Sequence, residues 1–217
     1  MKRTVAVLSL VLALILSFSL SVSARTGGGN NEKFFFYGIQ NGINCSTPSG
    51  AVEMFLSICK TMDEDMIATF LEADPVGNKQ LLGVEAGSDE ARMIMAITKG
   101  MTYVITDESV NGDTATVRVE ITTYSVYELM EGMYEELIDH LESSDYYYDD
   151  DGMFITFFTD YFERTDLSLY SRETTAVMVN LHRNAGTGLW VIEENDYLYS
   201  VIIGGLDAVL MGFGLYF

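Results

Sequence analysis

The sequence predicts an α+β domain in which a curved antiparallel sheet packs against an N-terminal helix pair, with a helical insertion and a C-terminal helix. Residues 49–62 and 63–74 place apolar side chains at helical spacing. Residues 102–124 and 174–194 show the alternating pattern of β-hairpins. Residues 125–164, between the hairpins, return to helical spacing. Because helices and antiparallel hairpins occur in separate runs, the pattern indicates the α+β class.

The first 24 residues have the pattern of a secretory signal peptide. Lys2 and Arg3 precede an apolar run from Val5 to Leu20, and Val22 and Ala24 occupy the −3 and −1 positions of a cleavage site. A retained membrane anchor is the alternative, but this run of about 16 residues is shorter than the roughly 20 that a spanning helix needs. We predict cleavage after Ala24, export by a Sec-type signal, and a secreted or cell-wall-associated protein with no stable membrane insertion.

Charge is the strongest compositional signal. The chain has 32 acidic and 12 basic residues, and all the acidic ones follow Ala24. Loss of Lys2 and Arg3 leaves 10 basic residues, so the mature net charge is 10 minus 32, or −22. This charge repels nucleic-acid phosphates and anionic lipid headgroups, which proteins bind through Lys and Arg. We therefore expect no nucleic-acid partner and a strongly solvated surface.

The mature chain is predicted to be a tether followed by a single domain. Residues 25–48 begin with a glycine- and asparagine-rich stretch and continue into an aromatic segment, 33–39. Residues 49–217 form the single domain. Pro75 ends its leading helix pair, whose inward-facing residues share one apolar stripe on each helix. These residues are Val52, Phe55, Ile58, Cys59, Met62, Met66, Ile67, Phe70 and Leu71.

The next elements are a short helix and a hairpin. Ser88 is predicted to cap the helix, which stops at Gly100. Asn111 and Gly112 then predict a two-residue turn of the kind that needs two positive φ angles. On the strand that follows, one face is predicted to be buried and the other exposed. The buried set is Ala115, Val117, Val119 and Ile121; the exposed set is Thr116, Arg118, Glu120 and Thr122.

Ser125 and Glu128 predict a capping box at the start of the helical insertion. The apolar stripes of its two helices are Val126, Leu129, Met130, Met133, Tyr134, Leu137, Ile138 and Leu141, then Phe154, Phe157, Phe158, Tyr161 and Phe162. In the second hairpin, Val177, Val179 and Leu181 share the buried face.

Residues 199–217 are the most hydrophobic stretch of the mature chain. Their spacing predicts a helix that continues through Gly205, and Asp207 argues against a membrane span. Beyond Gly212 the spacing fails. We expect this end to join the core or to cover an apolar patch on a neighbouring subunit, which leaves a homodimer open.

The order of these elements resembles that of exported bacterial proteins with the nuclear transport factor 2-like fold. The stretches that carry the resemblance are "AVEMFLSICKTMDEDMIATFLE", "VNGDTATVRVEITTY" leading into "SVYELMEGMYEELID", and "GLWVIEENDYLYSVIIGGL". This cystatin-like, cone-shaped α+β architecture is shared with ketosteroid isomerase. The resemblance covers roughly Ser49 to Leu206 and implies a helix pair packed in the concave face of the sheet. No catalytic residue of that family matches a position here.

Two cysteines and two histidines are the remaining candidates for chemistry. A Cys45–Cys59 disulfide and a core position for Cys59 are both open, because Cys59 lies on the apolar stripe of its helix. His140 ends a helix and His182 lies on the outward side of a strand. We interpret both histidines as structural. The spacing of cysteines and histidines matches no zinc motif, and we predict no cofactor.

The stretch "DYYYDDDG", 145–152, raises the question of calcium. With Gly152 at position 6 of a helix–loop–helix calcium loop, position 12 is Phe158, where glutamate is needed. The stretch "DESVNG" fails likewise, because its position 12 is Arg118. An irregular site remains as the metal-binding alternative, and its ligands would be Asp145, Asp149, Asp150 and Asp151. We predict instead a solvated loop between helices.

The sequence therefore predicts a secreted, non-enzymatic binding or interaction domain. It has no recognisable nucleophile motif, phosphate loop or catalytic triad. Its partner is an unknown protein or small molecule. The alternatives are a small-molecule-binding or isomerase-like protein that uses the cone cavity, and a calcium-dependent surface protein.

Overall fold

The computed structural model describes residues 39–40, 43–143 and 151–205. Side chains are described for residues 45–136, 157 and 159–205. The predicted signal peptide, most of the tether and the tail beyond Gly205 lie outside the described residues.

The described part of the chain has seven α-helices, one 3₁₀ turn (Leu167–Leu169) and six strands. The helices are α1 (Pro48–Thr61), α2 (Glu64–Ala73), α3 (Gly77–Leu82), α4 (Asp89–Thr98), α5 (Val126–Ser143), α6 (Asp151–Arg164) and α7 (Asp196–Ile202). The strands are β1 (Ile39–Gln40), β2 (Ile43–Asn44), β3 (Thr102–Asn111), β4 (Thr114–Tyr124), β5 (Arg172–Arg183) and β6 (Trp190–Ile192).

Both predicted hairpins pair in one antiparallel sheet of order β3-β4-β5-β6. The short strands β1 and β2 pair separately. With helices before the sheet, between the hairpins and at the end, the α+β class is confirmed.

Alternation along β4 and β5 places one set of side chains against the helices, and we call this side of the sheet the inner face. Its residues on the two central strands are each at most 6 % exposed. They are Ala115, Val117, Val119, Ile121, Val177, Val179 and Leu181. The predicted burial on both strands is therefore confirmed.

Helix α1 lies on the inner face and is fixed at its first turn by two oxygen acceptors. The Thr47 side chain accepts a hydrogen bond from Gly50 N at 3.1 Å, which is an N-cap. Glu108 of β3 accepts from Ser49 N at 2.9 Å and from the Ser49 hydroxyl. A carboxylate at a helix N-terminus is favourable because the N–H groups there have no partner within the helix. The edge strand β3 thereby holds the start of α1.

Helix α2 begins at an Asp63 side chain that accepts from Met66 N at 2.8 Å, and it ends before Pro75, as predicted. Phe70 of α2 stacks on Phe55 of α1 with ring centroids 5.8 Å apart. Both rings are fully buried in the main hydrophobic cluster. The predicted helix pair is thus present, with α1 in contact with the sheet and α2 packed on α1.

A second, smaller hydrophobic cluster joins α4 to the helical insertion. Ser88 caps α4 as predicted, with Ala91 N donating to its hydroxyl at 3.1 Å. Met93 and Ala96 of α4 then pack with apolar residues of α5, α6 and the 3₁₀ turn. These residues are Val126, Leu129, Met130, Met133, Tyr161, Phe162 and Leu167. Ala91 belongs to the main cluster, so α4 links the two cores.

Three local predictions are wrong, and each has a physical reason. The first is the turn between β3 and β4. Asn111 pairs with Thr114, so the turn residues are Gly112 and Asp113. Gly112 has φ 61°, and Asn111 and Asp113 do not have positive φ. This geometry fits a turn with glycine at its first central position, which needs one positive φ angle rather than two.

The second correction concerns the capping box. The Glu128 carboxylate accepts from Ser171 N at 3.0 Å and from the Ser171 hydroxyl at 2.5 Å. Ser125 N donates to Ser171 O at 3.0 Å. A capping box would instead direct Glu128 to Ser125 N. Ser171 is 43 residues from Glu128 along the chain, so a tertiary contact replaces the local one.

The third correction is the end of the C-terminal helix. Helix α7 stops at Ile202, and Gly204 and Gly205 have φ 65° and 78°. Gly205 N donates to Ser200 O at 2.8 Å and Gly204 N to Val201 O at 3.1 Å. These two bonds form a Schellman motif, in which glycine takes the left-handed conformation that ends a helix. The predicted helix through Gly205 therefore does not form.

Candidate functional site

The acidic candidates for a metal site fall largely outside the described residues. Asp145, Asp149 and Asp150 are not described, and Asp151 is described only as the first backbone position of α6. Among the described residues, no group of three or more His, Cys, Asp or Glu side chains is placed to hold a metal ion. Asp151 and Gly152 begin α6, so the predicted loop does not extend over them, and the solvated-loop interpretation stays a prediction for residues 145–150.

The second calcium candidate, "DESVNG", is part of the β3–β4 hairpin. Asp107 pairs with Arg118, and Asn111 pairs with Thr114. The stretch therefore forms the end of β3 and the start of the turn, as we predicted from Arg118 at position 12 of the calcium-loop pattern.

Cys45 and Cys59 are both free and buried, so the disulfide alternative is excluded and Cys59 is a core residue of α1. Burial raises the pKa of Cys45 to about 11, with a contribution from the charge of Glu72. Burial also raises the pKa of Cys59 to about 12. Both thiols are protonated at neutral pH, which makes them poor nucleophiles and metal ligands.

His182 has a partner that the sequence did not indicate. Its Nδ1 lies 3.8 Å from Glu193 Oε1, and both side chains are about half exposed. Glu193 follows β6, which pairs with the end of β5, and this register brings the two residues together. An exposed pair of this kind is worth little to stability. The side chain of His140 lies outside the described residues.

The predicted cone cavity would require open space against the inner face of the sheet. Val117, Val119, Ile121, Val177, Val179 and Leu181 have at most 1 % of their surface accessible. Even a void the size of one water molecule beside these side chains would expose part of their surface. The six side chains instead pack in one cluster with α1 and α7. Against these described side chains there is no ligand-sized space.

The opposite side of the sheet, which we call the outer face, is open. Its central strand β4 contributes Thr114, Thr116, Arg118, Glu120 and Thr122. Its neighbours contribute Thr102, Val104, Asp107, Ser109 and Asn111 from β3, and Thr174, Ala176, Met178, Asn180 and His182 from β5. All these residues are exposed or half-buried.

The centre of the outer face combines apolar and charged side chains. Val104 and Met178 are 61 % and 54 % exposed, and Ala176 is exposed beside Met178. Arg118 and Glu120 lie between them on β4, with an Arg118 Nη2 to Glu120 Oε1 distance of 3.9 Å. Threonine, serine and asparagine side chains surround this centre. Exposed apolar side chains with a polar rim are typical of a protein–protein contact surface, and here the Arg118–Glu120 pair adds charge to the centre.

Sequence reasoning predicted that β4 has a wet face but did not identify this face as a site. The strand pairing would have identified it, because the register places Val104, Ala176 and Met178 around Arg118 and Glu120.

The described residues contain no helix with the length and apolar character required to cross a bilayer. A comparison with protein-family models, with curated proteins and with solved structures found no match. The resemblance to the nuclear transport factor 2-like fold therefore stays a prediction.

Proposed function

We propose that this protein is exported and acts as a non-enzymatic binding or interaction domain whose contact surface is the outer face of the sheet. The observation that carries this proposal is the contrast between the two faces. The inner face is filled by α1 and α7, whereas the outer face presents Val104, Ala176 and Met178 to solvent.

Two thiols and two phenols of the core support a role without catalysis. Burial raises the pKa of the thiols Cys45 and Cys59 and of the phenols Tyr103 and Tyr199. A catalytic nucleophile or base requires a pKa brought toward the working pH. The shifts of these four groups go the other way, and they are the expected result of packing in a core.

The filled inner face favours interaction through a surface over small-molecule binding in a cone. Small-molecule sites are concave pockets that bury most of the ligand. In the described part of the sheet, the helices α1 and α7 pack on the inner face, and the outer face is a surface of strands rather than a pocket.

The proposal is tested by binding to the exported chain, residues 25–217, as the cells release it. Partners in the medium or wall fraction are cross-linked to the wild-type chain and to two variants. Met178→Glu places a charge at the centre of the outer face. Val76→Glu makes the same change at a 77 % exposed residue before α3 and is the matched control.

We expect Met178→Glu to lose the cross-linked partner and Val76→Glu to keep it. A small molecule that raises the melting temperature equally in the wild type and in Met178→Glu would contradict the proposal, because it would place the ligand away from the outer face. A catalytic turnover measured with the purified chain would contradict it as well.

A further inference from the structure

We infer that the outer face binds a second copy of this chain, face to face, around a two-fold axis that passes over β4 at the level of Val119. The axis lies between the two sheets and perpendicular to β4. This inference rests on the proposed function, since it takes the outer face as the contact surface.

The charge of the outer face favours a second copy of the chain as its partner. Of the fifteen residues that define it, Arg118 is basic and Asp107 and Glu120 are acidic, so the sum is −1 with His182 neutral. The whole chain carries −20. Two copies repel each other over most of their surfaces, because like net charges raise the energy of approach. A face that is nearly neutral is where they approach at least cost.

The charged residues of the outer face are self-complementary. Arg118 and Glu120 are two residues apart on the central strand, on the same face, and Val119 lies between them. Rotation about the proposed axis reverses the strand direction, so Arg118 of each copy faces Glu120 of the other. A symmetric dimer requires such a self-complementary patch. The chain therefore supplies both halves of two intermolecular ion pairs.

On β5, the same symmetry brings a large apolar side chain of one copy opposite a small one of the other. Met178 pairs with Arg118 and Ala176 pairs with Glu120 in the β4–β5 register. The same axis therefore places Met178 of each copy opposite Ala176 of the other, whereas on β3 it places Val104 opposite Asp107. A large side chain facing a small one lets two sheets pack at their usual separation of about 10 Å.

The size of the face sets the expected strength. Three strands spaced about 4.8 Å apart and about 34 Å long cover roughly 500 Å² of flat area per copy, or about 1,000 Å² in total. That is near the lower limit for a specific interface. We therefore expect a reversible dimer whose formation depends on concentration in the micromolar range.

The test is sedimentation velocity of residues 25–217 from about 1 to 500 µM, with circular dichroism to verify folding. Arg118→Glu and Glu120→Arg each place like charges opposite each other across the axis. Each change should weaken the dimer about tenfold or more. The double variant exchanges the two charges and should restore the dimer to within about threefold of the wild type. The matched control Val76→Glu should leave the dimer unchanged.

Three outcomes would overturn the inference. The first is a wild-type chain that stays monomeric over the whole concentration range. The second is a dimer that tolerates Arg118→Glu and Glu120→Arg. The third is a dimer that both single changes weaken and the double variant does not restore.

The two proposals fail separately. A monomer that captures a different protein through Met178 overturns the dimer and leaves the interaction function standing. A small molecule bound away from the outer face overturns the interaction function. Sedimentation velocity then still measures, independently, whether the chain forms the dimer.

Discussion

Thr98 shows how one buried hydroxyl connects two helices. Its Oγ1 lies 2.7 Å from Cys59 O of α1 and 2.9 Å from Ile94 O of its own helix, and the residue is fully buried. The single hydroxyl proton serves one carbonyl at a time, and the shorter distance is the one between helices. Thr98 therefore joins α4 to α1 at the point where the two hydrophobic clusters meet.

Replacing Thr98 by valine keeps the shape and removes the hydrogen bond. We expect Thr98→Val to lower the free energy of unfolding by about 1–2 kcal/mol, because a buried carbonyl loses its partner. Thr69→Val is the matched control, since the Thr69 hydroxyl bonds to Asp65 O, four residues earlier, at an exposed site. It should cost less than about 0.5 kcal/mol. Urea denaturation of both variants measures the difference, and equal losses would contradict the bridging role.

Glu128 provides a pH-dependent contact at the residue scale. Hydrogen bonds from the Ser171 hydroxyl and backbone N–H lower the pKa of Glu128 below its ordinary value. A lowered folded-state pKa adds stability above the unfolded-state pKa, and that contribution is lost as the pH falls through the folded-state pKa. Glu128→Gln keeps the shape and removes the charge.

We expect Glu128→Gln to be less stable than the wild type at neutral pH and to approach it as the pH falls below about 4.5. Thermal melts from pH 7 to pH 3 measure the two curves. Glu131→Gln removes one exposed carboxylate from the same helix and controls for the change in net charge. A constant difference between wild type and Glu128→Gln at every pH would contradict the role of the charge.

At the scale of elements, the sequence predicted the features that depend on side-chain periodicity, which are the helices, the strands and their buried faces. Val117, Val119, Val179 and Leu181 are buried because a strand alternates its side chains and one side faces α1. The predictions that failed depend on partners distant in sequence or on backbone conformation. Side-chain spacing could not place Ser171 beside Glu128, and the distant contact replaced a local motif.

The candidate site was harder to predict than the fold. Alternation indicated that Arg118 and Glu120 face away from the core, and both do. Alternation does not specify which strand lies beside β4, so the apolar centre of Val104, Ala176 and Met178 was not predicted. The acidic residues that the sequence singled out lie close together in sequence, at residues 145–151, and local composition gives no geometry for their side chains.

Two adjacent glycines end α7, and they differ in the space that a side chain would find. Both have positive φ, which costs an L-residue roughly 1–2 kcal/mol. A Cβ on Gly205 would meet no atom of the described residues within 4 Å, whereas one on Gly204 would lie 2.7 Å from both Tyr124 O and Val126 Cγ2. The backbone at Gly204 passes too close to the β4–α5 connection for any side chain.

We expect Gly205→Ala to lower the free energy of unfolding by about 1 kcal/mol, the cost of the conformation alone. Gly204→Ala should cost at least about 1 kcal/mol more, because a contact with backbone must also be relieved. Chemical denaturation of the two variants under the same conditions makes the comparison. Equal losses would mean that the end of α7 moves away from Tyr124 at no cost.

At the scale of the whole molecule, the net charge of −20 opposes folding by self-repulsion. Salt shortens the range of that repulsion from about 30 Å at 0.01 M to about 8 Å at 0.15 M. The described ion pairs are exposed and add little that salt could remove. We therefore expect the melting temperature to rise between 0.01 M and 0.5 M NaCl, and a fall would show that the ion pairs outweigh the repulsion.

The same charge makes a specific test for calcium necessary, because any cation screens an acidic chain. We predict that Asp149 and Asp150 belong to a solvated loop and that Asp151, the first residue of α6, is solvated as well, so calcium and magnesium at equal ionic strength should raise the melting temperature equally. Replacing all three by asparagine should leave the fold intact and the two cations equivalent. Four aspartates, with Asp145, repel one another, and a bound calcium ion would relieve that repulsion at micromolar concentration. Calorimetric binding of calcium in the wild type that is absent from the triple variant would therefore establish an irregular site at residues 145–151 and refute the loop interpretation.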